Sequence, residues 1–384
     1  MIKSQASWTA TDLGQLGVPA VLNTLADGAY VTDIDRRIIF WNEAASRITG
    51  WPASAVIGRS CSDNLLVHID KDGRPLCGKE SCPLHRSIVT GQPSSTSLLV
   101  FAQKQDGTRI PVEVTVAPLR DVHGQIVAGI ELFRDLTTGM EDLLRAQLIQ
   151  ESALLCPVPA DARVRFEFRY TPNDIVGGDF YRVEQVDTDR YAILVADVMG
   201  HGVAAALYTM QLRSLWEDWR EELNYPGAFL GRINQRLHTL ARAAGYFATA
   251  VCVNYNAATG AVRYVRAGHP APLLARAAGA LESLAKQQPA LGMFPDLRYE
   301  ESATQLAPGD ALLLFTDGAL EVTNTAGEEL GQAGLEQLWR AEANGAPPAT
   351  VDLANLEERL LRFSNQIHLP DDLTLFKVTR QACG

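Results

Sequence analysis

The run Tyr191-Ala192-Ile193-Leu194-Val195-Ala196-Asp197-Val198-Met199-Gly200-His201-Gly202 decides how the chain is read. Its unbroken apolar stretch predicts a buried strand that ends on a carboxylate. Glycines then turn the chain into a helix from Val203 to about Trp219. Working outward, the same arrangement recurs. Ala311-Leu312-Leu313-Leu314-Phe315 is a second buried strand and ends at Thr316-Asp317-Gly318. Pro370-Asp371-Asp372-Leu373 precedes the strand Thr374 to Val378, and Val176-Gly177-Gly178-Asp179-Phe180-Tyr181 sets a carboxylate after two glycines, where backbone can approach an ion closely. One aspartate beside glycine is ordinarily a turn former. Four at strand ends predict a shared site, and carboxylates that share a site repel one another unless cations lie among them. Oxygen ligands without thiolate or imidazole select hard ions, Mg2+ or Mn2+. Two such ions about 3.5–4 Å apart would present a water for in-line attack on phosphorus, so the expected reaction is phosphoester hydrolysis.

At about 150 residues per domain, 384 residues predict two or three domains. With 47% apolar and 21% charged residues the composition is that of a globular chain, which excludes disorder, a collagen repeat and a membrane bundle. The 34 basic residues against 45 acidic ones leave a net charge of −11, a balance that repels phosphate backbones, so no nucleic-acid partner is expected. Met1 to Gly17 holds no apolar core long enough for a signal peptide, and no later window offers about 18 uninterrupted apolar residues. No membrane association and a cytoplasmic location are the expectation.

Residues 19–137 read differently. Leu22, Leu25 and Ala26 give way to Asp27-Gly28-Ala29-Tyr30-Val31-Thr32-Asp33, a short helix turning into a strand. A turn at Asp35-Arg36-Arg37 leads to the strand Ile38 to Trp41, and Asn42 is placed to cap a helix from Glu43 to Thr49. Ser97 to Ala102, Ile110 to Ala117 and Val127 to Phe133, separated by turns at Asp106-Gly107 and His123-Gly124, predict three more strands. The result is a five-stranded antiparallel sheet with inserted helices. Through Asp27 to Trp51 and through Lys104-Gln105-Asp106-Gly107-Thr108 leading into Pro111-Val112-Glu113-Val114, this stretch resembles a PAS sensor domain. The resemblance implies a ligand or redox sensor that dimerises, with zinc, iron–sulfur, haem or flavin as candidate cofactors; an empty PAS fold serving only as a dimer platform is the other reading.

Two features of this half remain open. Leu136, Met140, Leu143, Leu144, Gln147 and Leu148 recur in steps of three and four, which predicts an amphipathic helix between about Leu136 and Leu155, with the linker at 138–157. It is either a short parallel coiled coil between two protomers or a lone helix packed on its own sheet. Cys61, Cys77, Cys82 and His85 cluster in a segment that Gly73, Pro75, Gly78 and Pro83 make loop-like. They could bind zinc or an iron–sulfur cluster, with His68 as a substitute ligand, could be oxidised as a thiol pair, or could simply pack as reduced cysteines.

From about residue 146 to 379 the chain resembles the PPM family of metal-dependent serine/threonine phosphatases, in the bacterial branch typified by the sporulation stage II protein E and the sigma-factor regulatory phosphatases. The motifs stand in family order: Gly177-Gly178-Asp179-Phe180-Tyr181, Asp197-Val198-Met199-Gly200-His201-Gly202, Arg266-Ala267-Gly268-His269-Pro270, Leu291-Gly292-Met293, Phe315-Thr316-Asp317-Gly318 with Glu321 following, and Asp371-Asp372-Leu373-Thr374. The resemblance implies an α+β chain whose domain at 158–380 is an α-β-β-α sandwich, two antiparallel sheets flanked by helices, with the metals at one end of the cleft. It implies that Asp197 bridges two Mn2+ or Mg2+ ions, that the Val198 carbonyl holds one of them, and that Asp179 reaches a metal directly or through water. Asp317 and Asp371 complete the other site; Asp372 is the weaker candidate of its pair, because the family often has asparagine there. Asp197 and Asp179 are accordingly the expected catalytic carboxylates.

The implied substrate is phosphoserine or phosphothreonine on a partner protein, an anti-sigma-factor antagonist of the STAS fold. The implied assembly is a homodimer through the PAS domain and linker helix, with the sensor moving that helix and so the loops around Asp179 and Asp197. The alternative is a non-catalytic sensor and interaction module with a phosphatase-like fold. Arg182 departs from the family pattern and reads as a solvent-exposed side chain, or else as a phosphate-holding one. His201 and His269 are expected to hydrogen-bond within their turns rather than to act as catalytic acids.

Overall fold

The computed structural model describes residues 9, 11, 18–61, 63, 65–70, 73–77, 82–94, 98–365 and 369–382, without the side chains of 98 and 241–244. Most of the Met1 to Gly17 stretch, Ser97 at the start of a predicted strand, Gly78 of the thiol segment and Cys383 lie outside the described residues. By packing, the chain divides into two units, Met1–Asp142 and Leu143–Gly384.

In the first unit α1 (Val18–Leu22) leads into the hairpin of β1 (Gly28–Asp33) and β2 (Ile38–Trp41). Asp33 Oδ1 closes that hairpin by accepting from the backbone N–H groups of Asp35 and Arg37, as short acidic side chains do in turns. Asn42 Oδ1 accepts from the Ala45 N–H at 2.7 Å and caps α2 (Glu43–Thr49). After α3 (Ala53–Val56) and α4 (Pro83–Thr90) come β3 (Leu98–Gln103), β4 (Arg109–Arg120) and β5 (Ile126–Asp135). The sheet runs β2-β1-β5-β4-β3 with every pair antiparallel. Tyr30, Trp41, Val112, Val114, Val116 and Phe133 form its inner face against the inserted helices, while Ala29, Val31 and Ala128 face Leu22 on the other side. Pro83 was expected to prolong a loop; it opens α4 instead, because a first helical residue needs no N–H partner and proline's φ suits the position. His85 therefore stands on a helix.

The linker helix α5 spans Thr137–Leu154. Of its C-terminal half, Gln150 and Leu154 are buried and Leu148 and Ile149 are exposed.

The second unit contains β6 (Val164–Thr171), β7 (Asp179–Gln185), β8 (Arg190–Val198), α6 (Val203–Asp218), α7 (Pro226–Ala244), β9 (Ala248–Asn256), β10 (Ala261–Ala267), β11 (Leu273–Ala275), β12 (Leu281–Ser283), β13 (Ser302–Gln305), β14 (Ala311–Phe315), α8 (Gly331–Ala343), α9 (Leu353–Ser364) and β15 (Leu373–Arg380). Two five-stranded antiparallel sheets result, β13-β10-β9-β8-β7 and β12-β11-β14-β15-β6. Their facing surfaces make one core; α6 and α7 cover the first sheet, α8 and α9 the second. The four-layer order explains why β8 is apolar from Tyr191 to Ala196. Tyr191, Ile193 and Val195 point into the sandwich and Ala192, Leu194 and Ala196 under the helices, so neither face meets water.

Candidate metal centre

Strand alternation delivers the carboxylates. Asp197 shares the parity of Tyr191, Ile193 and Val195, and Asp179 that of Tyr181 and Val183, so both belong to the inner face. They are Cα partners across β7 and β8. From the opposite sheet, Leu312 and Leu314 on β14 and Phe376 and Val378 on β15 face inward, and the same parity brings in Thr316 and Thr374. Their hydroxyls donate to Asp179 Oδ2 at 2.8 and 2.6 Å, and the Thr374 N–H donates to Thr316 Oγ1 at 2.9 Å. One end of the sandwich is thereby stitched across both sheets.

Asp317 opens the 3-10 turn Asp317–Ala319 directly after Thr316, and Asp371 lies just ahead of β15. Asp372 is committed elsewhere: its oxygens accept from the N–H groups of Asn173 at 2.7 Å and Gly178 at 2.5 Å. The motif glycines follow from this closeness. A Cβ on Gly318 would stand 2.0 Å from the Asp372 carbonyl oxygen, and one on Gly177 would stand 2.2 Å from the Tyr170 hydroxyl. Val198 donates its N–H to the Gly178 carbonyl at 3.1 Å, so the Asp179 and Asp197 strands meet at their ends as well as along their lengths.

Burial, and then the charges of Asp317, Asp371, Asp372 and Glu321, pushes Asp197 up to about 8. Burial, Glu321 and Asp371 push Asp317 up to about 6. Asp179 is raised well above the carboxylate range by burial and by Asp197. The dominant charges around Asp197 are thus all negative, which low dielectric makes costly without a counterion.

As the side chains stand, no three His, Cys, Asp or Glu among the described residues close around a single point. The donor set nevertheless fits a hard cation. It is all oxygen, and Asp179 Oδ1 is buried with no hydrogen-bond partner while Oδ2 is fixed by two hydroxyls.

The histidines do not enter this set. His269 is buried, its Nδ1 lies 2.8 Å from Thr249 Oγ1, and burial first holds it neutral, down to about 3. Thr249 is the strand partner of Asp197, so His269 supports the floor of the site. His201 is exposed in the turn before α6. Arg182 is a correction. Its side chain is 13% exposed rather than in solvent, and it donates to the Leu155 carbonyl at 3.2 Å and to Glu217 at 3.3 Å. It has the parity of Phe180, which places it under the helices and away from the cleft.

In the first unit, Cys61, Cys77 and Cys82 are free thiols around a buried polar group that sequence reading did not find. Tyr30 and Glu131 are strand partners, and the Tyr30 hydroxyl bonds the Glu131 carboxylate. His68 Nε2 lies 3.8 Å from Glu131 Oε1, and the His68 N–H donates to Cys77 Sγ at 3.2 Å. His68 thus meets Cys77 through its backbone and Glu131 through its ring. Burial pushes Glu131 up to about 7, His68 down to about 4 and Cys77 up to about 11, and it raises Cys61 as well. Thiols held protonated in this way are poor nucleophiles.

The sequence reading also gave no role to Thr316, Thr374 or Gln150. The two threonines sat inside quoted motifs, and strand parity would have placed them. Gln150 carried no signal that set it apart from its helix neighbour Gln147.

Comparison with known proteins agrees with this architecture. Residues 18–136 match the PAS fold model, and residues 187–381 match the model described as Stage II sporulation protein E (SpoIIE). The chain is 32% identical to phosphoserine phosphatase RsbP of Bacillus subtilis (strain 168) over 185 residues, 47% of this chain and 46% of that protein. It is 26% identical to phosphoserine phosphatase RsbU of the same organism over 235 residues, 61% of this chain and 68% of that protein. Among solved structures, the SiaA-PP2C domain of Pseudomonas aeruginosa superposes with a TM-score of 0.55 at 24% identity, covering 64% of this chain and 98% of the domain. Fold and sequence together define a PAS domain followed by a PPM-type phosphatase domain. The chain belongs to the SpoIIE family. It spans less than half the length of RsbP.

Proposed function

We propose that this chain is a divalent-cation-dependent protein phosphatase that removes phosphate from serine or threonine on a partner protein, under the control of its PAS domain. The observation that carries the reading is the gathering of Asp197, Asp317 and Asp371 at one end of the sandwich, where each raises the charge cost of another. A protein that only bound a partner would gain nothing from keeping mutually repelling carboxylates in a buried cleft. Asp197, Asp179, Asp317, Asp371 and the Val198 carbonyl are the groups that would hold two Mn2+ or Mg2+ ions. Bound there, such a pair supplies the positive charge and the activated water that phosphoester hydrolysis needs.

The chain's own residues then have distinct tasks. Thr316 and Thr374 turn Asp179 so that Oδ1 is the oxygen left to bind. Asp372 fixes Gly178 and with it the entry of β7. His269 and Thr249 hold the strand beneath Asp197. Fixed partners of this kind keep ligands oriented when charge changes during reaction.

By analogy with RsbP and RsbU, named as phosphoserine phosphatases, the proposed substrate is a phosphorylated STAS-type anti-sigma-factor antagonist. Release of inorganic phosphate from a phosphoserine STAS protein in the presence of Mn2+ tests this. Turnover by the wild-type chain, reduced on the order of 100-fold or more in Asp197→Asn and in Asp317→Asn, supports the enzyme. No turnover on any phosphoprotein by a folded, Mn2+-loaded chain would leave an interaction module.

A further inference from the structure

Two buried polar atoms of the first unit face each other without a hydrogen bond. His68 Nε2 and Glu131 Oε1 stand 3.8 Å apart, beyond hydrogen-bond reach, and neither atom has a hydrogen-bond partner among the described residues. Their residues are 8% and 2% exposed. Buried groups left unpaired in this way cost free energy and call for a bound ion or water between them. A cation bonded to each at about 2.0–2.2 Å, as zinc is to imidazole and carboxylate, spans a gap of that size.

The surroundings favour the ion. Cys77 Sγ accepts from the His68 N–H at 3.2 Å, and Cys82 and Cys61 pack in the cluster around Tyr30, the strand partner of Glu131. The charges of Glu131 and Cys82 raise both Cys61 and Cys77, so these sulphurs lie within electrostatic reach of the carboxylate and of a third thiol. As the side chains stand no third donor closes on the pair, and a sulphur has to turn in to complete the set. The Tyr30 hydroxyl bonds the Glu131 carboxylate and orients it, as partners of metal ligands do. Val67, immediately before His68, has a φ of 39°, an outlier for a β-branched residue, and Arg109 holds its carbonyl at 2.8 Å. The chain thus keeps strain at the step that brings a polar ring into the core, where an apolar residue would carry no desolvation cost.

We propose that the first unit binds a cation of the zinc class through His68 Nε2, Glu131 Oε1 and thiolate from the group Cys61, Cys77 and Cys82. Mixed nitrogen, oxygen and sulphur donors select such a borderline ion over the hard ions that suit the aspartates of the second unit. Each thiol that binds gives its proton to solvent, and the charge of the ion offsets the burial that otherwise keeps it protonated. The bound ion ties the segment carrying His68 to β5, which carries Glu131. This site is independent of the phosphatase reading. The test is a titration of the reduced, metal-free full chain with Co2+, a spectroscopic stand-in for zinc, in excess Mg2+ to fill oxygen-only centres. Wild type should develop a thiolate-to-cobalt charge-transfer band that Zn2+ abolishes, and Asp197→Asn should develop it undiminished, which separates this site from the carboxylate centre. His68→Ala and Glu131→Gln should each weaken Co2+ binding by more than about 10-fold, the least that losing even a group behind a metal ligand costs. No band in wild type, a band lost in Asp197→Asn, or wild-type affinity in either folded variant would overturn the proposal. Should one variant not fold, the other decides. Should neither fold, Tyr30→Phe decides: weaker Co2+ binding supports the site and unchanged binding refutes it.

Discussion

Asp197 combines burial with four acidic neighbours, and this has a consequence for stability that precedes any catalysis. An unfolded aspartate titrates near about 4. The folded Asp197 and Asp317 are raised to about 8 and about 6, so the folded chain binds more protons between these limits. Their contribution is fully present below about pH 4 and is lost as pH rises through about 6 and about 8. Metal-free protein should therefore melt lower at pH 8.5 than at pH 5.5, and Asp197→Asn, which has no charge to acquire, should gain on wild type as pH rises. Melting curves in chelator check this, and a constant difference between the two proteins at all pH values would contradict it. The carboxylates were legible in the sequence because each closes or precedes an apolar strand or follows a glycine pair. Arg182 was not: its neighbour Tyr181 faces the cleft, and a one-residue step along a strand turns the guanidinium to the helical side.

At the scale of elements, close approach between strands decides where side chains are tolerated. Gly318 sits where a Cβ would meet the Asp372 carbonyl at 2.0 Å, whereas Gly139, within α5, has nothing within 4 Å. The same substitution should therefore act in opposite directions. Gly318→Ala should lower the melting temperature and impair Mn2+ binding, because the backbone before β15 has to shift. Gly139→Ala should stabilise by about 0.5–1 kcal/mol through helix propensity. Denaturant titration of both variants distinguishes them, and a stable, Mn2+-binding Gly318→Ala would show that the ends of β14 and β15 are not closely packed. The strands and α5 were readable from periodicity. The thiol segment was not, because its partners Glu131 and Tyr30 come together through sheet register and leave no local pattern; among the described residues the thiols are free and no three potential ligands converge.

For the molecule as a whole, the four layers of the second unit and the five-stranded sheet of the first follow from alternation and turn chemistry, and no helix among the described residues is long and apolar enough to cross a membrane. Removing residues 1–136 while keeping α5 should change the rate of phosphate release or the Mn2+ dissociation constant; identical values for the truncated and full chains under all conditions would contradict regulation by the PAS domain. All of this depends on cations lying among the carboxylates. Crystals of the full chain grown with Mn2+ and measured at the manganese absorption edge should show two anomalous peaks bounded by Asp197, Asp317, Asp371 and Asp179. Manganese peaks confined to other surfaces, with these four side chains apart from them, would contradict the account.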